Sequence, residues 1–283
     1  MPIMGFPIGY QGAFPIDIDV EVPGAPSDFD PDAMAWFEAV EAEGANFGPT
    51  PEIAAANKTA WSNWVKAQKN AESPILGRSN WDQLTEPGEG FIQPLMGVST
   101  FNIPAMFGDS EFDNFVAGDY DPATGLRGGE NRGIGCGRRW IDTPQNNVSA
   151  TVILTEAPTA NTHSGGRVVG SQGNAFPEGI INDGRVQSRD AGLKDTITLV
   201  GVFTPRTLAV SRHTGTEFQA LNGEVYNFSG LSSSPVQEDV WFLNRGTLTR
   251  PSDARIGLAT YGRSIDVEAM NTACVALSEA ITW

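Results

Sequence analysis

The pattern of apolar and polar positions changes three times along this chain and divides it into four stretches. Residues 1–27 hold Ile3, Met4, Phe6, Ile8, Tyr10, Phe14 and Ile16, but Gly5, Pro7, Gly9, Gly12 and Pro15 break every candidate helix there. A helical period follows. Asp30 can cap a first helix, with Pro31 at its first position, Glu38 and Glu41 outside, and Gly44 as its stop. In "TPEIAAANKTAWSNWVKAQKNAE" Thr50 caps and Pro51 starts a second helix, striped by Ile53, Ala56, Ala60, Trp64 and Ala67. "SPILGRSNWDQL" offers a short third helix carrying Ile75, Leu76 and Trp81.

From Phe91 the period becomes two. "FIQPLMGVS", "GIGCGRRWID", "SATVILTEA", "GRVVGSQ", "DGRVQSR", "TITLVGVFTP", "TLAVSRH", "GEVYNF", "VWFLNRG" and "RIGLATYG" are short β-runs. Gly, Asn, Asp and Pro punctuate them, as in an all-β sandwich. "NDGR" predicts an Asp-Gly turn and "LNGEV" an Asn-Gly hairpin. The last run alternates Ile256, Leu258 and Thr260 with Gly257, Ala259 and Tyr261, and Gly262 permits a sharp turn. Helical spacing then returns in Val267, Met270, Cys274, Leu277 and Ile281, with Asp266 as cap. Five apolar side chains on one helical face must be buried somewhere, so this helix is expected to cover an open part of the sandwich.

Composition supports a turn-rich β-protein: 32 glycines, 19 prolines and only 18% charged residues in 283. The net charge of −16 repels phosphate backbones, so no nucleic acid is expected as partner. It suits solubility in a salty medium, with cation binding as the sharper reading. No run approaches the roughly 18 apolar residues of a membrane span, so no membrane partner is expected. The first 20 residues have no basic residue and three prolines, unlike a signal peptide, so synthesis in a cytoplasm without that export route is expected. Cys136 and Cys274 are too few for a disulfide scaffold and read as small core residues.

Four stretches resemble a known family. "WSNWVKAQKNAESPILGRSNWDQL" looks like its helical lead-in, and "TGLRGGENRGIGCGRRWIDTPQNNVSATVILTEAP" like its step from a Gly-rich turn into a sandwich strand. "TLAVSRHTGTEFQALNGEV" resembles its two-strand hairpin. "NRGTLTRPSDARIGLATYGRSIDVEAMNTACVALSEAI" resembles its closing strand, "GR-S" corner and terminal helix. The family is the concanavalin A-like lectin/glucanase (LamG-type) modules in structural proteins of tailed bacteriophages. The specificity lies in the order of the stretches, since none is a sharp catalytic motif. Ile265 stands where the family more often has Leu, and residues 1–27 match nothing in it. The resemblance implies a mainly β fold: a concanavalin A-like jelly-roll β-sandwich with N-terminal helices and an extended apolar arm. The parts are an arm at 1–27, a helical lead-in at 28–90, and a sandwich with its C-terminal helix at 91–283.

Candidate chemistry is sparse. His163 and His213 stand in loops with no G-x-S-x-G elbow, and HExxH and CxxC are absent, so no zinc site is expected. "GIGCG" lacks the strand–GxGxxG–helix context of a phosphate loop and reads as a β-bulge or turn. Glycoside hydrolysis needs two carboxylates roughly 5–10 Å apart. The E-x-D-x-x-E strand motif of glucanases is absent, no carboxylate pair is marked on one strand, and no enzyme is expected. Asp109, Glu111, Asp113, Asp119 and Asp121 cluster, with Glu130 twelfth from Asp119, but Ala123 and Thr124 stand where an EF-hand needs a ligand and a glycine. Asp119 and Asp121 are the calcium candidates left, and calcium is the one cofactor left open.

The expectation is a non-enzymatic virion structural protein of a tailed phage: a capsid decoration, fibre or tail-associated subunit. An exposed apolar arm is a liability in a free monomer. Residues 1–27 therefore either fold back on their own domain or, as preferred here, dock on other virion proteins, with a homo-oligomer expected. The alternative is a glycan-binding adhesin for a host surface, using Trp140, Tyr226, Trp241 or Tyr261, although strand aromatics are more often core.

Overall fold

The computed structural model describes residues 28–75, 77–144, 146–156, 206–213, 239–244 and 252–283, together with the strands at 169–170, 179–181, 185–190, 193–198, 217–222 and 225–229. The arm at 1–27, Leu76, His163 and the Asp-Gly turn at 182–184 lie outside the described residues. Helix α1 is Pro31–Ala42, α2 Pro51–Asn70, α3 Asn80–Leu84 and α4 Val267–Ala280. Each starts where a cap can hold it. The side chain of Asp30 accepts from Asp32 N–H, Thr50 from Ile53, Ser79 from Asp82, and Asp266 from Glu268 and Ala269. Gly44 follows α1 at φ +80°, a conformation that favours glycine.

The main sheet has eight strands. Its path is β13 (Val225–Ser229), β12 (Glu217–Asn222), β11 (Arg206–Arg212), β6 (Val148–Glu156), β15 (Arg255–Gly262), β4 (Gly125–Arg127) and β3 (Tyr120–Asp121). β1 (Phe91–Pro94) pairs with the far end of β15. A four-stranded sheet runs β2 (Glu111–Asp113), β5 (Gly133–Arg139), β14 (Asp239–Phe242) and β7 (Val169–Gly170). β8 (Gly179–Ile181), β9 (Arg185–Asp190) and β10 (Leu193–Thr198) form a third. All pairings are antiparallel, so the protein is mainly β with a few helices.

The main sheet is buried on both faces. Val148, Ala150, Val152, Leu208, Val210, Ala259 and Tyr261 share one core with Ile134, Cys136, Val240 and Phe242 of the four-stranded sheet. Ile153, Ala209 and Leu258 point the other way, into a core with Trp36, Trp61, Trp64, Met270, Cys274 and Leu277. The last helix therefore covers the second face of the main sheet, and its whole expected stripe, Val267 to Ile281, is buried.

Three expectations change in detail. On β15 the register shifts between Ile256 and Leu258, so Ile256 joins Ala259 and Tyr261 in the inter-sheet core while Leu258 faces the helices. On α2 the buried face is Asn57, Ala60, Trp61, Trp64, Val65 and Gln68, and Ala56 is exposed. The stripe is turned because α2 packs on α1 through Trp61 against Trp36 as well as on α4. The third helix is only five residues long, starts after Ser79 and leaves Ile75 outside it.

The corner after β15 joins the layers. Gly262 has no unusual φ; a Cβ there would lie 2.6 Å from Gln83 O, so the glycine permits close approach to α3. The next four N–H groups each find a different acceptor. Arg263 donates to Gln83 O, Ser264 to Asn147 Oδ1, Ile265 to Ser211 Oγ and Asp266 to Asn80 Oδ1. The Arg263 guanidinium meets both carboxylate oxygens of Glu89 at 2.8 Å.

Candidate functional site

The acidic stretch does not assemble as a unit. Ala117–Asp119 is a short 3₁₀ turn that buries the Asp119 carboxylate. One of its oxygens lies 2.9 Å from Arg132 Nη1, and the other accepts from Val116 N–H at 2.9 Å. Asp121 is exposed and accepts from Ala123 and Thr124 N–H, closing the turn from β3 to β4. Both calcium candidates thus hold their own backbone. Among the described residues no three His, Cys, Asp or Glu side chains converge as a metal site.

Other candidates also find structural places. Tyr261 is fully buried, its hydroxyl accepts from Thr143 Oγ1 at 2.8 Å, and burial raises its pKa. It is a core residue and not a sugar platform. Cys136 and Cys274 are buried free thiols, each pushed up to about 12 by burial. His213 directly follows β11 and is half-buried. The side chains of Trp140 and Tyr226 lie outside what is described.

Glu111 and Asp113 stand apart from this pattern, on the outer face of the four-stranded sheet. Ile134 and Cys136 of β5 and Val240 and Phe242 of β14 turn inward. Alternation therefore sends Gly133, Gly135 and Trp241 outward. Pairing sets Glu111 opposite Gly135, Gly135 opposite Trp241, and Trp241 opposite Gly170, in one row across four strands. The indole lies over the bare glycine: a Cβ at Gly135 would sit 3.4 to 3.6 Å from its six-membered ring. Asp113 pairs with Gly133 one row along. A flat aromatic side chain on a glycine floor, flanked by two carboxylates, can stack on an apolar ring face and accept hydrogen bonds from hydroxyl groups.

This face corrects one expectation and refines another. Glu111 and Asp113 are a carboxylate pair on one strand face, about 7 Å apart by strand rise. The pair was missed because a three-residue strand is too short to declare an alternating period. The "GIGCG" run is a strand whose glycines Gly133 and Gly135 pave its outer face. Its bulge lies at Gly137, φ +62°, where the register with β14 shifts. The alternating glycines are the signal that marks this face in the sequence.

No protein-family profile matches the chain. No curated protein matches it either. Among solved structures it is similar to Trypanosoma rangeli sialidase, at 10% identity and TM-score 0.48, over 82% of this chain and 40% of the sialidase. Domain 4 of a GH43 extracellular arabinanase from Geobacillus stearothermophilus, titled as a complex with arabinotriose, gives 15% identity and TM-score 0.34 over 51% of this chain and 73% of that one. A GH54 α-L-arabinofuranosidase gives 9% and 0.34 over 55% of this chain and 40% of that one. The chain spans about two fifths of the sialidase's length. The expectation that it is not an enzyme is corrected here, because these structures are titled as glycoside-cleaving enzymes. Scores at this level carry no argument about its substrate or mechanism.

Proposed function

We propose that this chain is a concanavalin A-like jelly-roll module that serves as a structural subunit of a tailed-bacteriophage virion, in a capsid decoration, fibre or tail-associated position. In this reading residues 1–27 hold it to other virion proteins and to copies of itself. The observation that carries the reading is where the family-resembling stretches fall in the fold. The lead-in stretch supplies Trp61, Trp64, Asn80 and Gln83, and the closing stretch supplies Gly262 to Asp266 and α4. These are the residues that fasten the helices to the sheet. That the resembling stretches supply these joining residues is what supports the reading of a module kept for its shape. Particle incorporation tests it. Tagged chain produced in infected cells should co-purify with particles, and chain found only in the soluble fraction would refute the reading.

The second reading, glycan contact at a host surface, is favoured by the Glu111–Gly135–Trp241–Gly170 row. A glycan array with the purified chain tests it. Binding that falls at least tenfold in Trp241→Ala and in Glu111→Gln is the expected result. Binding unchanged in both variants, or none at all, removes that face from consideration.

A further inference from the structure

The outer face of the four-stranded sheet sets carboxylates around one aromatic ring. Three neighbouring carbons of the Trp241 six-membered ring stand 3.4, 3.5 and 3.6 Å from where a Gly135 Cβ would be, and such near-equal distances mark a contact with the ring's face. The ring therefore reaches across from β14 to β5 and lies one strand, about 4.8 Å, from the backbone of Glu111, which pairs with Gly135. Asp113 follows two residues along β2. Asp239 stands two residues before Trp241 on β14, and the burial of Val240 and Phe242 sends both outward. Glu111 and Asp239 are exposed, and Asp113 and Trp241 are half-buried. The cations nearby are engaged. Arg139, opposite Asp239, meets both carboxylate oxygens of Asp142 at 2.8 and 3.3 Å, and Arg138 donates to Gly90 O and Gly137 O. Among the described residues the cation–ring contacts are those of Lys58 and Lys69, with rings on the helical side, and none is made to Trp241.

We propose that this face takes an oligosaccharide whose amino sugars carry free amines, and turns away acidic sugars. The proposal rests on the glycan reading of the same face and names its chemical class. A sugar ring stacks through its apolar face on the side of the indole turned from Gly135. An ammonium substituent is drawn to the same ring, since indole is the best aromatic partner for a cation. It also meets Glu111, Asp113 or Asp239, and charge-assisted hydrogen bonds of this kind are shorter and roughly twice as strong as neutral ones. An acetylated amine keeps the stacking and loses both charge contacts. A sugar carboxylate meets three like charges, and the net charge of −16 repels acidic polymers before contact. The carboxylates alone would form a solvated patch. The ring held over a bare glycine gives them a common partner.

Titration calorimetry with the full chain tests it, in low-salt buffer at about pH 6. The probes are a β-1,4-linked glucosamine hexamer, the same hexamer N-acetylated, and a β-1,4-linked glucuronic acid hexamer. The expected result is that the free-amine hexamer binds at least tenfold tighter than the acetylated one, and that the acidic one does not bind. The preference for the amine should shrink to threefold or less in the double variant Glu111→Gln, Asp239→Asn, whose two positions are exposed and leave the fold intact. Trp241→Ala should lose both ligands. Equal binding of the amine and acetylated hexamers, lost in Trp241→Ala, would overturn the amine class and leave the glycan reading standing. An amine preference unchanged in both variants would place the attraction elsewhere on an acidic surface and overturn the proposal. Binding of none of the three hexamers would overturn it too, and the glycan array, which carries other sugars, decides the glycan reading separately.

Discussion

Single buried amides decide how the helices sit. The Asn57 side chain donates to Phe47 O at 2.7 Å and to Thr282 O at 2.8 Å, and accepts from Thr282 N–H at 3.0 Å. Asn80 does the same at the other end of α4, donating to Asp266 O and accepting from Asp266 N–H. Truncation strands buried backbone groups, each costing about 1–3 kcal/mol. Asn57→Ala should therefore lose about 2–4 kcal/mol in chemical denaturation, and an unchanged midpoint would contradict the clamp. The thiols give a second residue-scale expectation. With Cys136 and Cys274 both pushed up to about 12, native protein at pH 8 should resist alkylation, and denatured protein should take two labels. Rapid labelling of the native state would show an opening at one of these sites. Caps such as Asp30, Thr50 and Asp266 were legible in the sequence because their partners lie within three residues. Asn57 and Asn80 were not, because their partners stand 225 and 186 residues away.

At the scale of elements, the turn from β15 into α4 depends on what lies beside each glycine. At Gly262 a Cβ would meet Gln83 O at 2.6 Å and Leu84 Cα at 3.1 Å, both backbone atoms of α3. At Gly257 it would meet the Met96 thioether at 2.6 Å, the end of a side chain that can move. Gly262→Ala should thus cost about 1–3 kcal/mol, the range for overpacking, and Gly257→Ala less. Equal melting temperatures for the two variants would show that α3 yields as easily as Met96. Helix α3 is itself closed by a capping box in which Asp82 accepts from Ser79 N–H at 2.9 Å. That backbone bond, helped by the Ser79 hydroxyl and Arg78, holds the Asp82 carboxyl below its ordinary range. A depressed carboxylate stabilises the fold above its unfolded pKa and loses that contribution as pH falls through the folded value. The stability gap between wild type and Asp82→Asn should then be full at pH 6 and should close below about pH 4. A gap independent of pH would mean that the box does not act through charge. The long periodic elements were legible, and the strands at 111–113, 120–121 and 125–127 were not, since two or three residues carry no period and take their register from neighbours.

At the scale of the whole molecule, both faces of the main sheet are spent on packing, one on the smaller sheet and one on the helices. The outer side of the smaller sheet is where Glu111, Asp113 and Trp241 come together, and the described chain begins at Asp28, beside α1 on the helical side. The sequence order of helices, strands and final helix carried most of this architecture. The outer face did not show, because its row is made by three pairings between distant strands. The most direct test of the virion proposal is incorporation of a chain lacking residues 1–27, which keeps the described fold. The full chain should enter particles, and the shortened chain should melt at the same temperature yet stay in the soluble fraction. Equal incorporation of both, or exclusion of the full chain, would contradict the proposal.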